Sequence, residues 1–80
     1  MIRLTAHVAL RIAERRLALA WIEATLAAPD WTAPDRDPAL MRAFRSIPDY
    51  GGRVLRVVHR REGADIFVVT AHFDRGARRP

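Results

Sequence analysis

Arg53-Val54-Leu55-Arg56-Val57-Val58-His59-Arg60 and Ile66-Phe67-Val68-Val69-Thr70-Ala71-His72-Phe73, separated by Arg61-Glu62-Gly63-Ala64-Asp65, decide the fold. No other stretch is so rich in β-branched and aromatic residues. Alternation in each half, with a glycine-centred break between, is the pattern of a β-hairpin. The alternation also sorts side chains by face. Val54, Arg56, Val58 and Arg60 fall together in the first strand, and Val68, Thr70 and His72 in the second. Pairing even residues with even ones gathers Arg56, Thr70 and His72 on one surface, with Arg56 close to opposite Thr70 across the Arg61–Asp65 loop. The other face, Leu55, Val57, Phe67, Val69, Ala71 and Phe73, is apolar enough to floor a core. A slip of one residue would send Arg56 to the face away from Thr70 and His72.

Upstream, Leu40–Pro48 alternates Met41, Ala43, Arg45 and Ile47 against Leu40, Arg42, Phe44 and Ser46. This predicts a strand that turns at Asp49-Tyr50-Gly51-Gly52 and pairs with Arg53–Arg60. Thr5 is placed to cap a helix running to about Arg16, where Val8, Ala9, Leu10, Ile12, Ala13 and Leu17 sweep an apolar side. His7, Arg11, Glu14 and Arg15 share its polar arc, and Arg16 breaks the pattern. A second helix over residues 19–28 lines up Leu19, Ile22 and Leu26 and is stopped by Pro29. Pro29 to Pro38 holds three Pro and three Asp and reads as a loop. Trp31 within it is expected to cap the core. Ile2-Arg3-Leu4 reads as a short edge strand.

The expected architecture is α+β, in the order (β)ααβββ. Two helices pack on one face of a small three- to four-stranded antiparallel sheet. The expected buried set is Val8, Ile12, Ile22, Leu26, Leu55, Val57, Phe67, Val69 and Phe73. Residues 1–80 form one domain, with residues 75–80 a basic, frayed tail.

Composition narrows the function classes. Eighty residues, half of them hydrophobic, suit one globular domain with a stability of ~5 kcal/mol. There is no cysteine, hence no disulfide framework and no thiolate chemistry. No apolar run approaches the roughly 20 residues of a membrane helix, and the N-terminus carries no signal-peptide pattern, so a cytoplasmic protein without a membrane partner is expected. All 14 basic residues are arginine. Residues 1–40 balance five arginines with five acids, whereas residues 41–80 carry nine against four, so the +5 excess lies with the hairpin. An arginine-rich sheet fits an anionic partner, because the planar guanidinium fork matches phosphate. The three histidines lack ligand spacing, so no metal and no cofactor are expected.

Four motifs in order carry a resemblance. Thr5-Ala6-His7 opens an H-x3-R-x3-R helix with Arg11 and Arg15. Leu26-Ala27-Ala28-Pro29-Asp30 ends the second helix. Gly51-Gly52-Arg53-Val54-Leu55-Arg56-Val57-Val58 and Val68-Val69-Thr70-Ala71-His72-Phe73-Asp74-Arg75 complete the set. In these the chain resembles the bacterial domain-of-unknown-function family 4258, related by fold to the RelE/ParE-type toxins of toxin–antitoxin systems. The resemblance implies a RelE-like fold and, for the wider superfamily, metal-independent RNA cleavage by arginine and acid/base residues on the sheet. RNA, in association with the ribosome or free, and an antitoxin protein are the implied partners.

Cleavage through the 2′-hydroxyl needs a base, an acid and cations for the phosphorane. His7, Arg11, Arg56, Thr70 and His72 are the candidate catalytic set. His7 and His72 would move protons, Arg11 and Arg56 hold the phosphate, and Thr70 offers a hydroxyl. Arg15, Arg45, Arg60 and Arg75 are the candidates for RNA binding. Arg56 stands out because it interrupts the most hydrophobic strand at its middle, where an unpaired charge is expensive. Convergence of the catalytic set requires the first helix to cross an end of the sheet. Two rival readings use the same residues: a non-catalytic RNA- or protein-binding module with an arginine face, and a dimeric structural partner with no nucleic-acid role.

Overall fold

The computed structural model describes residues 1–80. The order is β1 (Ile2–Arg3), α1 (Ala6–Glu14), α2 (Leu19–Ala27), β2 (Trp31–Pro34), β3 (Met41–Ile47), β4 (Arg53–Glu62) and β5 (Asp65–Phe73). The strands make one sheet in the order β1-β5-β4-β3-β2. All neighbours are antiparallel except β1, which runs parallel to β5. The α+β class and the two helices are as expected, whereas the sheet is five-stranded and mixed. The extra strand is β2, drawn from the segment expected to be a loop. Its composition misleads because Asp35 and Asp37 serve the β2–β3 connection, accepting from the Asp37 and Ala39 amides. Pro34 ends the strand on the sheet's outer edge, where no ladder donor is needed.

Thr5 caps α1, its Oγ1 accepting from the Val8 amide at 3.1 Å. The helix closes at Arg15, and Arg16 follows in the left-handed region at φ 55°, which turns the chain into α2. Both helices lie on one face of the sheet. Val8, Ile12, Leu17, Ile22 and Leu26 meet Ala43, Ile47, Leu55, Val57, Val68 and Ala71 there. Leu55 and Val57, from the central strand, are fully buried. No helix is long and apolar enough to cross a membrane.

The β4–β5 hairpin is tighter than expected. Glu62 faces Asp65, so Gly63 and Ala64 alone make the turn, and Gly63 takes the positive φ of 58° that a two-residue hairpin requires. Near the turn, odd residues therefore face even ones: Arg60 lies opposite Phe67. A bulge between Val58 and His59 changes this, because His59 pairs with Val68, Val58 with Thr70, and Val69 pairs with neither. Beyond it Arg56 lies opposite His72 rather than Thr70.

Corrections to the expected core follow from this geometry. Val68 is buried and Val69 is 42% exposed, the reverse of simple alternation. Phe67 moves to the helix-free face, where the Arg60 guanidinium lies 4.4 Å from its ring centre. Phe73 remains on the helix side but only half-buried, against Trp21 and Tyr50. Trp31 does not cap the core; it stacks on its cross-strand partner Phe44 at 4.7 Å, on the face away from the helices.

Candidate basic site on the helix-free face

Register determines what the helix-free face displays. Trp31, Phe44, Arg56 and His72 are successive cross-strand partners over β2, β3, β4 and β5 and make one row across the sheet. Ala33, Arg42, Val58 and Thr70 make the adjoining row. Arg60 and Phe67 lie beyond it toward the hairpin tip. The face thus sets flat rings beside guanidinium groups, an arrangement on which single-stranded nucleic acids can stack and pair.

Two carboxylates attend the arginines. Arg42 Nε donates to Asp35 Oδ1 at 2.7 Å, and that bond holds the Asp35 carboxyl below its ordinary value. Arg56 Nη1 lies 3.4 Å from Asp74 Oδ2, a longer contact between side chains that are each 23% exposed. Arg56 Nε is buried with no hydrogen-bond partner. Leaving a buried donor unmatched costs about 1–3 kcal/mol, and because this atom is sealed from solvent only the Nη groups of Arg56 can meet an outside ligand. Its neighbour His72 is half-buried, and burial followed by the Arg56 charge pushes the imidazole below its ordinary value. His72 is therefore a neutral proton acceptor at neutral pH.

The remaining candidates fall in three places. Thr70 shares the face, and its Oγ1 accepts from Arg15 Nη1 at 3.4 Å; the same nitrogen donates to the Ala71 carbonyl at 3.0 Å. Arg15 thus reaches from the end of α1 to the outer side of β5. His7, Arg11 and Arg15 line a hollow of about 210 Å³ with Val69 and Thr70. A second and larger cleft of about 690 Å³, at the end of the sheet, is lined by His72, Arg15, Arg53, Arg75 and Arg78 together with Tyr50. Arg15 is the one residue lining both, and Arg56 lines neither. His7 and His72 therefore belong to separate hollows divided by Arg15. Arg11 also contacts Glu14 at 3.3 Å on its own helix.

Arg45 lies away from the open face. It lies opposite Leu55 on the helix side, and its Nη1 donates to the Ala28 carbonyl at 2.6 Å, closing the end of α2. Arg60 stays on the open face and pairs with Glu62. Arg75 stands at the mouth of the terminal cleft. The tail around it is organised by Asp74 Oδ1, which accepts from the Gly76 amide at 2.9 Å, and by Arg79 Nη2, which donates to the Asp30 carbonyl at 3.3 Å.

Arg42, Arg53 and Arg78 were not singled out from the sequence. For Arg42 a signal existed: β3 and β4 pair even with even, so the parity that selects Arg56 selects Arg42 too. Arg53 and Arg78 come together only through the path of the tail. No group of three or more acidic or histidine side chains is placed to hold a metal ion.

Fold and site together define a small α+β domain whose sheet is covered by helices on one side and presents arginine, histidine and aromatic rings on the other. Residues 4–73 match the family described as Domain of unknown function (DUF4258), and the chain belongs to that family. No curated protein and no solved structure matches it.

Proposed function

We propose that this chain acts on RNA through its helix-free face, as the toxin component of a toxin–antitoxin pair with a RelE-like active surface. The observation that carries the reading is the Arg56–His72 pair: a half-buried guanidinium directly opposite an imidazole kept neutral by burial. Neutral His72 is suited to take the proton from a ribose 2′-hydroxyl. The 2′-oxygen then attacks phosphorus, and the 5′-oxygen departs with a proton from solvent. Arg56, with Arg15 beside Thr70, offers cations to the phosphorane. Trp31 and Phe44 supply rings for the neighbouring bases. The four-motif resemblance, which implies a RelE-like relation, supports the same reading, and this chemistry uses no metal.

Expression in a bacterial host should arrest growth, and co-expression of the neighbouring reading frame should relieve the arrest. Purified protein should cut single-stranded RNA equally well with and without EDTA. Arrest and cleavage that persist in Arg56→Ala, at equal amounts of folded protein, would sink the proposal. A non-catalytic RNA-binding module is the second reading, and one observation favours it: Arg42 and Arg56 already have carboxylate partners in Asp35 and Asp74. Its signature is binding that weakens steeply with salt and leaves the RNA intact.

A further inference from the structure

The cleft at the end of the sheet is distinct in charge from the open face. There, each arginine of the two central rows has an acid beside it. Four arginines approach the cleft, Arg15 from α1, Arg53 from the start of β4, and Arg75 and Arg78 from the tail. None of the four has a carboxylate within 4.0 Å. The only acid on the wall, Asp74, is engaged by Arg56 and by the Gly76 amide. Arg53 lies over the Tyr50 ring at 5.2 Å, and Tyr50 stacks on Phe73 at 4.6 Å. A guanidinium held over a ring is fixed in place by the cation–π attraction while its N–H groups can still donate.

Four cations without counter-charge exceed what one phosphodiester, with a single negative charge, would match. A phosphate monoester carries nearly two charges at neutral pH and presents three terminal oxygens. The cleft, at about 690 Å³, also falls within the range of sites that enclose a small ligand. We infer that the cleft is a subsite for a phosphate monoester, borne either on the end of an RNA strand or on a free nucleotide. His72 lines this cleft and also ends the Arg56 row, so a strand lying across the open face has a continuous path into it. Only the strand-end form rests on the RNA reading; the nucleotide form stands without it.

The test uses the full chain in two arms at fixed salt. In the first, 5′-AMP and adenosine are titrated by calorimetry into wild type and into the Arg53→Ala/Arg78→Ala double variant. Both positions are exposed, so the fold should survive the change. In the second, single-stranded RNAs of one sequence are compared with a 5′-phosphate, a 3′-phosphate or hydroxyls at both ends. The expected result is a preference of at least about tenfold for the phosphorylated ligand in one arm or both, lost in the double variant. Preference among the RNAs assigns the site to strand ends; preference confined to AMP assigns it to free nucleotides. Equal binding of phosphorylated and hydroxyl forms in both arms overturns the inference, as does a preference unchanged in the double variant. RNA binding without end preference, together with equal binding of AMP and adenosine, leaves the open-face reading intact while removing this one. AMP binding without any RNA binding does the reverse.

Discussion

The two faces of the sheet are built from the same strands and solve opposite problems. Toward the helices, Leu55, Val57 and Ala71 are sealed from water and carry the fold. On the other side, Val58 and Phe44 are also buried although no helix covers them. Trp31 stacked on Phe44, and the long stems of the arginines beside them, supply that cover. An arginine stem can therefore do the work of a core residue while its head remains available. The difference between the faces is a difference in what lies at the far end of the side chain. It separates stability from chemistry at adjacent positions along one strand.

The sharpest way to break this comparison uses neighbours. Leu55→Ala should cost about 2–5 kcal/mol in chemical denaturation, a large part of the total for so small a domain. Arg56→Ala, one residue on, should cost clearly less, about 1 kcal/mol from the lost stem and the Asp74 contact. RNA cleavage by folded protein should fall about a hundred- to thousand-fold. If both variants lose stability alike, the open face is structural.

His72→Ala tests the proton-transfer role. Cleavage should fall by about a hundredfold or more, and the acid limb of the pH–rate profile should vanish. A profile that keeps its shape would assign the base elsewhere.

Acid stability sharpens the contrast in a third way. Burial, the larger cause in both cases, holds His59 and His72 below the ordinary histidine value of 6.5. The folded chain then binds fewer protons than the unfolded chain just below that pH. Stability should fall as pH is lowered from 7 to 5, with no comparable loss on the alkaline side. Urea midpoints would show it, and His59→Phe should flatten the part owed to the helix side. The smallest expected effect is Thr5→Ala, about 1 kcal/mol from the lost cap, with RNA chemistry unchanged.

Much of this fold is legible in the chain, and the misses have identifiable physics. Hairpin, cap, glycine turn and helix stripe are local patterns, and each lies close to where its residues predict. The bulge is not local in that sense. Val69 looks like its neighbours, yet one unpaired residue inverts the parity of everything on one side of it. Arg56, Thr70 and His72 still share a face because the short turn shifts the register by one and the bulge restores it. The strand β2 was hidden by aspartates and prolines that belong to its ends. The bond from Arg45 to a backbone carbonyl is something no side-chain pattern announces. The separation of His7 from His72 depends on where α1 crosses β5, a tertiary fact that helical periodicity does not contain.

Arg15 has a consequence of another kind. β1 covers β5 only at Ile66 and Phe67, so the outward carbonyls farther along the strand would otherwise stand open. Arg15 occupies the one at Ala71. An uncovered strand edge is a template for a second chain, and a charged side chain laid along it is a common guard against self-association. Here the guard is also a wall of both hollows, so an anion that drew Arg15 inward would unmask the edge. Pairing at this edge and occupancy of the hollows would then be coupled through a single guanidinium.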